Sequence, residues 1–150
     1  MDGTINNNSI RNGYYSNFIK FYNKTSEHFE DVKKKYLYLR SKLENNNKIV
    51  FNTNGDKISY YILNFSIIGL RGETIVHTLE NEEIYVSTGS SCSSKLVKPE
   101  KTILAISSSN ERATSTIRIS LSFLSTYQEI DCLVNAINKI IAIIYIIFYN

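Results

Sequence analysis

Cys92 stands in "STGSSCSS", residues 87–94, surrounded by glycine and small hydroxyl residues, and it is one of two cysteines in 150 residues. A segment of Ser, Thr and Gly has little side-chain bulk to fix it, so its backbone changes conformation at low cost. A thiol carried there is accessible, and its thiolate is a nucleophile that nearby hydroxyls and backbone N–H groups can stabilise. The same composition allows a plainer reading, a small residue in a polar surface loop, because reactivity follows a pKa that residue types alone do not set. Arg118, in the alternating run "TSTIRISLS" (114–122), is the second candidate. A strand gives its guanidinium a fixed direction from which to hold a carboxylate through two parallel hydrogen bonds; the alternative is an arginine on a solvated strand face.

The remaining reactive side chains promise less. Cys132 lies beside Ile130, Leu133 and Val134, which predicts a buried, inert thiol. His28 and His77 fall in predicted helices without a second ligand at metal spacing, so packed or surface histidines are expected and no metal site. Two cysteines about forty residues apart form neither a CxxC pair nor a zinc cluster. A domain of this size does not need a disulfide and no secretory signal opens the sequence, so reduced thiols and a cytoplasmic setting are expected.

Positioning elements can be read from periodicity. From Tyr14 to Glu44, Phe18, Phe21, Tyr22, Phe29, Val32, Tyr36, Leu39 and Leu43 recur at helical spacing, with Lys24 to Ser26 the place for any bend. "KIVF" (48–51) and "YYILNFSII" (60–68) predict two strands around the turn chemistry of "NTNGD", as an antiparallel pair. "ETIVHTLEN" (73–81) predicts a short helix, and "EIYVS" (83–87) a strand running into the cysteine segment. "EKTILAIS" after Pro99 predicts a second short helix. In 114–122, Ile117, Ile119 and Leu121 share one strand face, and Thr116, Arg118 and Ser120 the other. Thr126 and Glu129 have capping-box spacing ahead of a final helix with the stripe Ile130, Leu133, Val134, Ile137, Ile140 and Ile141.

This order predicts an α+β fold with a small, mainly antiparallel sheet, helices packed on it, and long helices at both ends. A single domain over 1–150 is expected, with a lead-in at 1–13, the long helix at 14–44 and the α+β core at 48–150. A hydrophobic share of 43% and a charged share of 21% fit an ordinary globular chain. The net charge of +3 is spread among acidic residues, Lys33 to Lys35 following Glu30 and Asp31, so no nucleic-acid partner is expected. The tail "IIAIIYIIFY" (140–149) falls short of the roughly 20 residues that span a bilayer, so a buried helix or subunit contact is expected rather than a membrane anchor.

Taken in order, "ILNFS" (62–66), "GLRGETIVHTLE" (69–80), "IYVSTGSSCSS" (84–94), "KPEKTILAI" (98–106), "STIRISLS" (115–122) and "TYQEID" (126–131) form a series. The series resembles the C-terminal small domain of the cysteine desulfurases of the NifS/IscS type, pyridoxal-phosphate enzymes of the class V aminotransferase kind. "GTINNNSI" (3–10) likewise resembles the family segment that precedes the long helix. The resemblance implies that Cys92 is the nucleophile that takes sulfur from cysteine as a persulfide, and that Arg118 anchors the substrate α-carboxylate. It implies that Gly3 and Thr4 reach the cofactor phosphate of a partner subunit. Ser91 stands where the family commonly has alanine, and "NNNK" before the first strand is more polar than usual.

The family's Schiff-base lysine lies in a Ser-x-His-Lys type segment of a large cofactor domain, and neither His28 nor His77 is followed by lysine. The resemblance therefore implies pyridoxal phosphate for the full enzyme, none bound by this chain alone, and no sulfur release by the chain alone. The implied partners are a separate cofactor-binding half or a homodimer mate, and a sulfur-acceptor protein. Two other readings remain open: a non-catalytic interaction or dimerisation module of the same descent, and a stand-alone rhodanese-like sulfur carrier, which would leave Arg118 without a role.

Overall fold

A computed structural model describes residues 7–55, 58–89 and 99–149. Three strands, β1 (Ile49–Phe51), β2 (Ile62–Ile67) and β3 (Thr116–Ser120), form an antiparallel sheet in the order β1-β2-β3. Around it lie α1 (Asn7–Glu44), α2 (Gly72–Glu80), α3 (Lys101–Ser107), α4 (Asn110–Thr114) and α5 (Tyr127–Tyr149). The fold is α+β, with the long first and last helices packed together.

Register explains which face is buried. Leu63 pairs with Ile119, Phe65 with Ile117 and Phe51, and Ile67 with Ile49, which puts every one of these apolar side chains on one face. That face packs into a single core with Val32, Tyr36, Leu39 and Leu43 of α1, Ile75 and Leu79 of α2, and Ile130, Leu133, Val134, Ile137 and Ile140 of α5. At the α1–α5 contact, Tyr38 donates its hydroxyl to Asp131 Oδ1 at 2.8 Å and meets Tyr127 edge-on at a centroid distance of 5.0 Å. Lys35, buried within α1, donates to Asp31 one turn earlier and to the carbonyl of Phe123 at 3.0 Å, so its charge is satisfied.

The opposite face is polar. Asn64 pairs with Arg118 and Ser66 with Thr116 on it. At the α4 end, Asn52 Nδ2 donates to Asn64 Oδ1 (2.8 Å), Ser66 Oγ (2.9 Å) and Thr116 Oγ1 (3.1 Å). Arg112 of α4 closes the network by donating Nη2 and Nε to Asn52 Oδ1 at 2.7 and 3.2 Å. Ser66 Oγ in turn donates to the Arg112 carbonyl at 2.8 Å.

Four features differ from the sequence-based expectation. α1 begins at Asn7 rather than Tyr14 and continues through residues 24–26. The expected strand 83–87 is absent. Leu79 O accepts from both Glu82 N and Ile84 N, and Glu83 takes a left-handed φ of 59°, so the backbone is committed to closing α2 and pairs with β3 only at Ser87. α4 was not anticipated; its N-cap Ser109 accepts from Arg112 N at 3.2 Å. Cys132 is exposed, not buried. It sits two residues from both Ile130 and Val134, about 200° around the helix from each, which turns it away from the stripe they share.

The tail of α5 is also only partly covered: Ile140 is buried, whereas Ile143 and Ile146 are 51% and 59% exposed. Among the described residues no helix is long and apolar enough to cross a membrane.

Candidate functional site

β3 carries Arg118 on the polar face, exposed and directly across from Asn64. Its backbone exchanges two hydrogen bonds with Ser87, Arg118 N to Ser87 O at 2.7 Å and Ser87 N to Arg118 O at 3.1 Å. The side chain joins them, with Nε donating to Ser87 Oγ at 3.2 Å. Neither Arg118 nor its neighbours on this face form an ion pair among the described residues.

The residues after Ser87 are held as closely. A Cβ on Gly72, at the start of α2, would stand 2.5 Å from the Thr116 carbonyl oxygen and 3.0 Å from Thr88 Cγ2, so α2, β3 and Thr88 meet at a point where only glycine fits. Gly89 lies against Glu100, whose Cγ would be 2.1 Å from a Cβ placed there. Glu100 is itself fixed: its carboxylate accepts from Ile103 N at 2.6 Å as the N-cap of α3, and its N–H donates to Ala113 O at 2.9 Å. The described ends of the segment that contains Cys92 therefore touch each other, and Ser87, two residues before one of them, pairs with Arg118.

Cys92, Gly3 and Thr4 themselves lie outside the described residues. Arg118 is where the alternation of 114–122 placed it. His28 stacks on Phe123 at 4.1 Å and His77 faces Glu80 at 2.9 Å, and among the described residues no group of His, Cys, Asp and Glu could hold a metal ion. Sequence reasoning missed Ser87 as the partner of Arg118. The strand alternation orients Arg118 but says nothing of which loop residue lies beside it.

A profile of the family described as aminotransferase class-V matches residues 17–133. The chain belongs to this family. Among class-V aminotransferase relatives, it is 41% identical over 80 residues to a "NifS/IcsS protein homolog" of Lactobacillus delbrueckii subsp. bulgaricus, covering 53% of this chain and 21% of the relative. It is 38% identical over 79 residues to a cysteine desulfurase IscS of Clostridium botulinum, covering 53% and 20%. A solved structure named as a NifS-like protein superposes with a TM-score of 0.66 at 27% identity, over 79% of this chain and 29% of that one. The chain thus spans about a fifth of the length of the curated relatives it matches.

Class-V aminotransferases depend on pyridoxal phosphate, whose phosphate calls for cationic or N–H donors and whose ring calls for a lysine amine. Neither of two clefts formed by described residues fits it. A cleft of about 570 Å³ between residues 82–86, β3 and the first turns of α5 has an apolar floor, carries Glu82, Glu83 and Glu129 on its walls, and includes no lysine or arginine. A second, of about 660 Å³, is lined by Lys48 with three asparagines, Ile141, Ala142 and Ile146, and offers no aromatic face. Glu129 in the first cleft is held below the ordinary carboxylate range by the Thr126 N–H and hydroxyl, so it is anionic at neutral pH and would repel a phosphate.

Proposed function

We propose that the chain is the part of a cysteine desulfurase that receives and carries sulfur: Cys92 as the thiolate that takes it up as a persulfide, Arg118 as the holder of the substrate carboxylate. The observation that carries this reading is the pairing of Ser87 with Arg118. Cys92 follows Ser87 by five residues in sequence, and five residues of chain reach at most about 18 Å. One residue would hold the amino acid while the other accepts its sulfur, which is the proximity that group transfer requires. Onward transfer is attack by an acceptor's thiolate on the outer sulfur of the persulfide. Its partners would be a cofactor-binding half or second subunit, and a sulfur-acceptor protein.

The test supplies the chain with L-cysteine and pyridoxal phosphate, alone and with a separately produced cofactor-binding half, and follows sulfide and the mass of each cysteine peptide. The chain alone is expected to give neither sulfide nor added sulfur. With the added half, one sulfur atom should appear on Cys92, Cys92→Ala should abolish transfer, and Cys132→Ala should leave it nearly unchanged. Because Cys132 is exposed, it is the necessary control. Sulfur on Cys132, or equal losses in the two variants, would overturn the assignment.

A second reading, an association module without catalysis, draws on the exposed Ile143 and Ile146 at the end of α5. It requires concentration-dependent association in sedimentation that Ile143→Lys with Ile146→Lys removes.

A further inference from the structure

Arg118 has its direction set by a neutral group outside the sheet. Ser87 Oγ accepts Nε–H at 3.2 Å, while the backbones of the same two residues are locked by bonds of 2.7 and 3.1 Å. The backbone pair fixes the Ser87 Cα relative to β3, so its hydroxyl is confined to the few rotamer positions beside Arg118. With Nε–H engaged, the remaining donors of the guanidinium are those of Nη1 and Nη2, which make no hydrogen bond among the described residues.

We propose that Ser87 is a positioning residue that sets how Arg118 meets a carboxylate. With Nε occupied, a carboxylate is received end-on by the Nη1 and Nη2 edge, and the side-on approach through Nε is closed. Prior anchoring also removes part of the rotamer freedom that a free arginine gives up on binding. A hydroxyl does this without cancelling the positive charge, as an aspartate in the same place would. The ligand class is a small α-amino acid bound through its carboxylate. This inference rests on the carboxylate-holding role proposed for Arg118 and adds the residue that orients it.

The full chain, labelled with ¹⁵N, is titrated with L-alanine, and with L-alaninamide as a probe lacking the carboxylate. Two signals are read: exchange protection of the Arg118 Nε–H, and the shift of the guanidinium resonances. L-Alanine, not the amide, should shift them. Ser87→Ala should lose the Nε–H protection and bind L-alanine about fivefold more weakly, a loss typical of one hydrogen bond. Ser87→Thr should restore affinity to within about twofold, and Ser87→Asp should keep the protection yet weaken binding by about tenfold or more through neutralisation. Wild-type affinity in Ser87→Ala would overturn the inference and leave the role of Arg118 standing. Unshifted Arg118 resonances in the wild type would overturn that role itself. Should Ser87→Ala fail to fold, equal affinity in the Thr and Asp variants would overturn the inference.

Discussion

Gly72 and the carbonyl of Thr116 are in closest approach where α2 meets β3: a Cβ on Gly72 would lie 2.5 Å from that oxygen. A backbone carbonyl within a paired strand cannot step aside as a flexible side chain can. Gly72→Ala should therefore destabilise the fold by about 1–3 kcal/mol, the usual range for overpacking. Thr88 touches the same point, so amide exchange should rise at Ser87 and Arg118 as well as in α2. An unchanged melting temperature would contradict this.

Asn52 holds the buried polar network together. It donates to Asn64, Ser66 and Thr116 and accepts from Arg112, and it is itself buried. Removing its amide leaves the partly buried Arg112 guanidinium with the Phe51 carbonyl at 3.3 Å, and takes the incoming donor from the Ser66 and Thr116 hydroxyls, which still donate to Arg112 O and Asn64 Oδ1. Asn52→Ala should cost about 2–4 kcal/mol in urea unfolding, more than a single neutral hydrogen bond is worth. A cost below about 0.5 kcal/mol, the level of an ordinary surface change, would show that the network relaxes onto water.

The start of α5 is a reciprocal capping box. Glu129 Oε2 accepts from Thr126 N at 2.7 Å, and Thr126 Oγ1 accepts from Glu129 N at 3.2 Å. The Thr126 backbone N–H, then its hydroxyl, lower the Glu129 pKa in the folded state. A depressed carboxylate pKa stabilises the fold fully above the unfolded value of about 4.3 and ceases to do so as the pH falls through the lower folded value. Glu129→Gln should thus lower the melting temperature at pH 7 and lose its difference from the wild type in strongly acidic solution. A difference that does not depend on pH would rule this out.

Tyr36 is fully buried, and its hydroxyl has no hydrogen-bond partner among the described residues. Its ring packs edge-on against Tyr60 at a centroid distance of 5.3 Å. The ring stabilises the core while the hydroxyl is desolvated without return. Tyr36→Phe should raise the melting temperature by about 2–4 °C, corresponding to roughly 1 kcal/mol. Tyr36→Leu should lower it; a drop in the Phe variant would show that the hydroxyl has a partner in solution.

Particular residues show what the sequence made legible. The stripe from Val32 to Leu43, the alternation around Arg118 and the Thr126–Glu129 box each depend on neighbours close along the chain, so their spacing alone was sufficient. The strand expected at 83–87 failed because Ile84 N–H was claimed by Leu79 O, a helix-closing bond that the β-prone residues do not reveal. Cys132 was misjudged by counting distance along the chain where angle around the helix decides. α4 is held by Arg112 reaching Asn52, just past β1, across 60 residues, and Arg118 is oriented by Ser87 across 31. Contacts of that separation leave no periodic trace.

The touch between Gly89 and Glu100 makes a neck. The two positions are eleven residues apart in sequence, and the length of chain between two fixed points costs little to change, since doubling a loop adds only about 0.6 kcal/mol. Insertions or exchanged peptides placed there should leave the sheet and helices as they are. The length and composition of the cysteine-bearing segment can thus be altered for chemistry without the scaffold being redesigned.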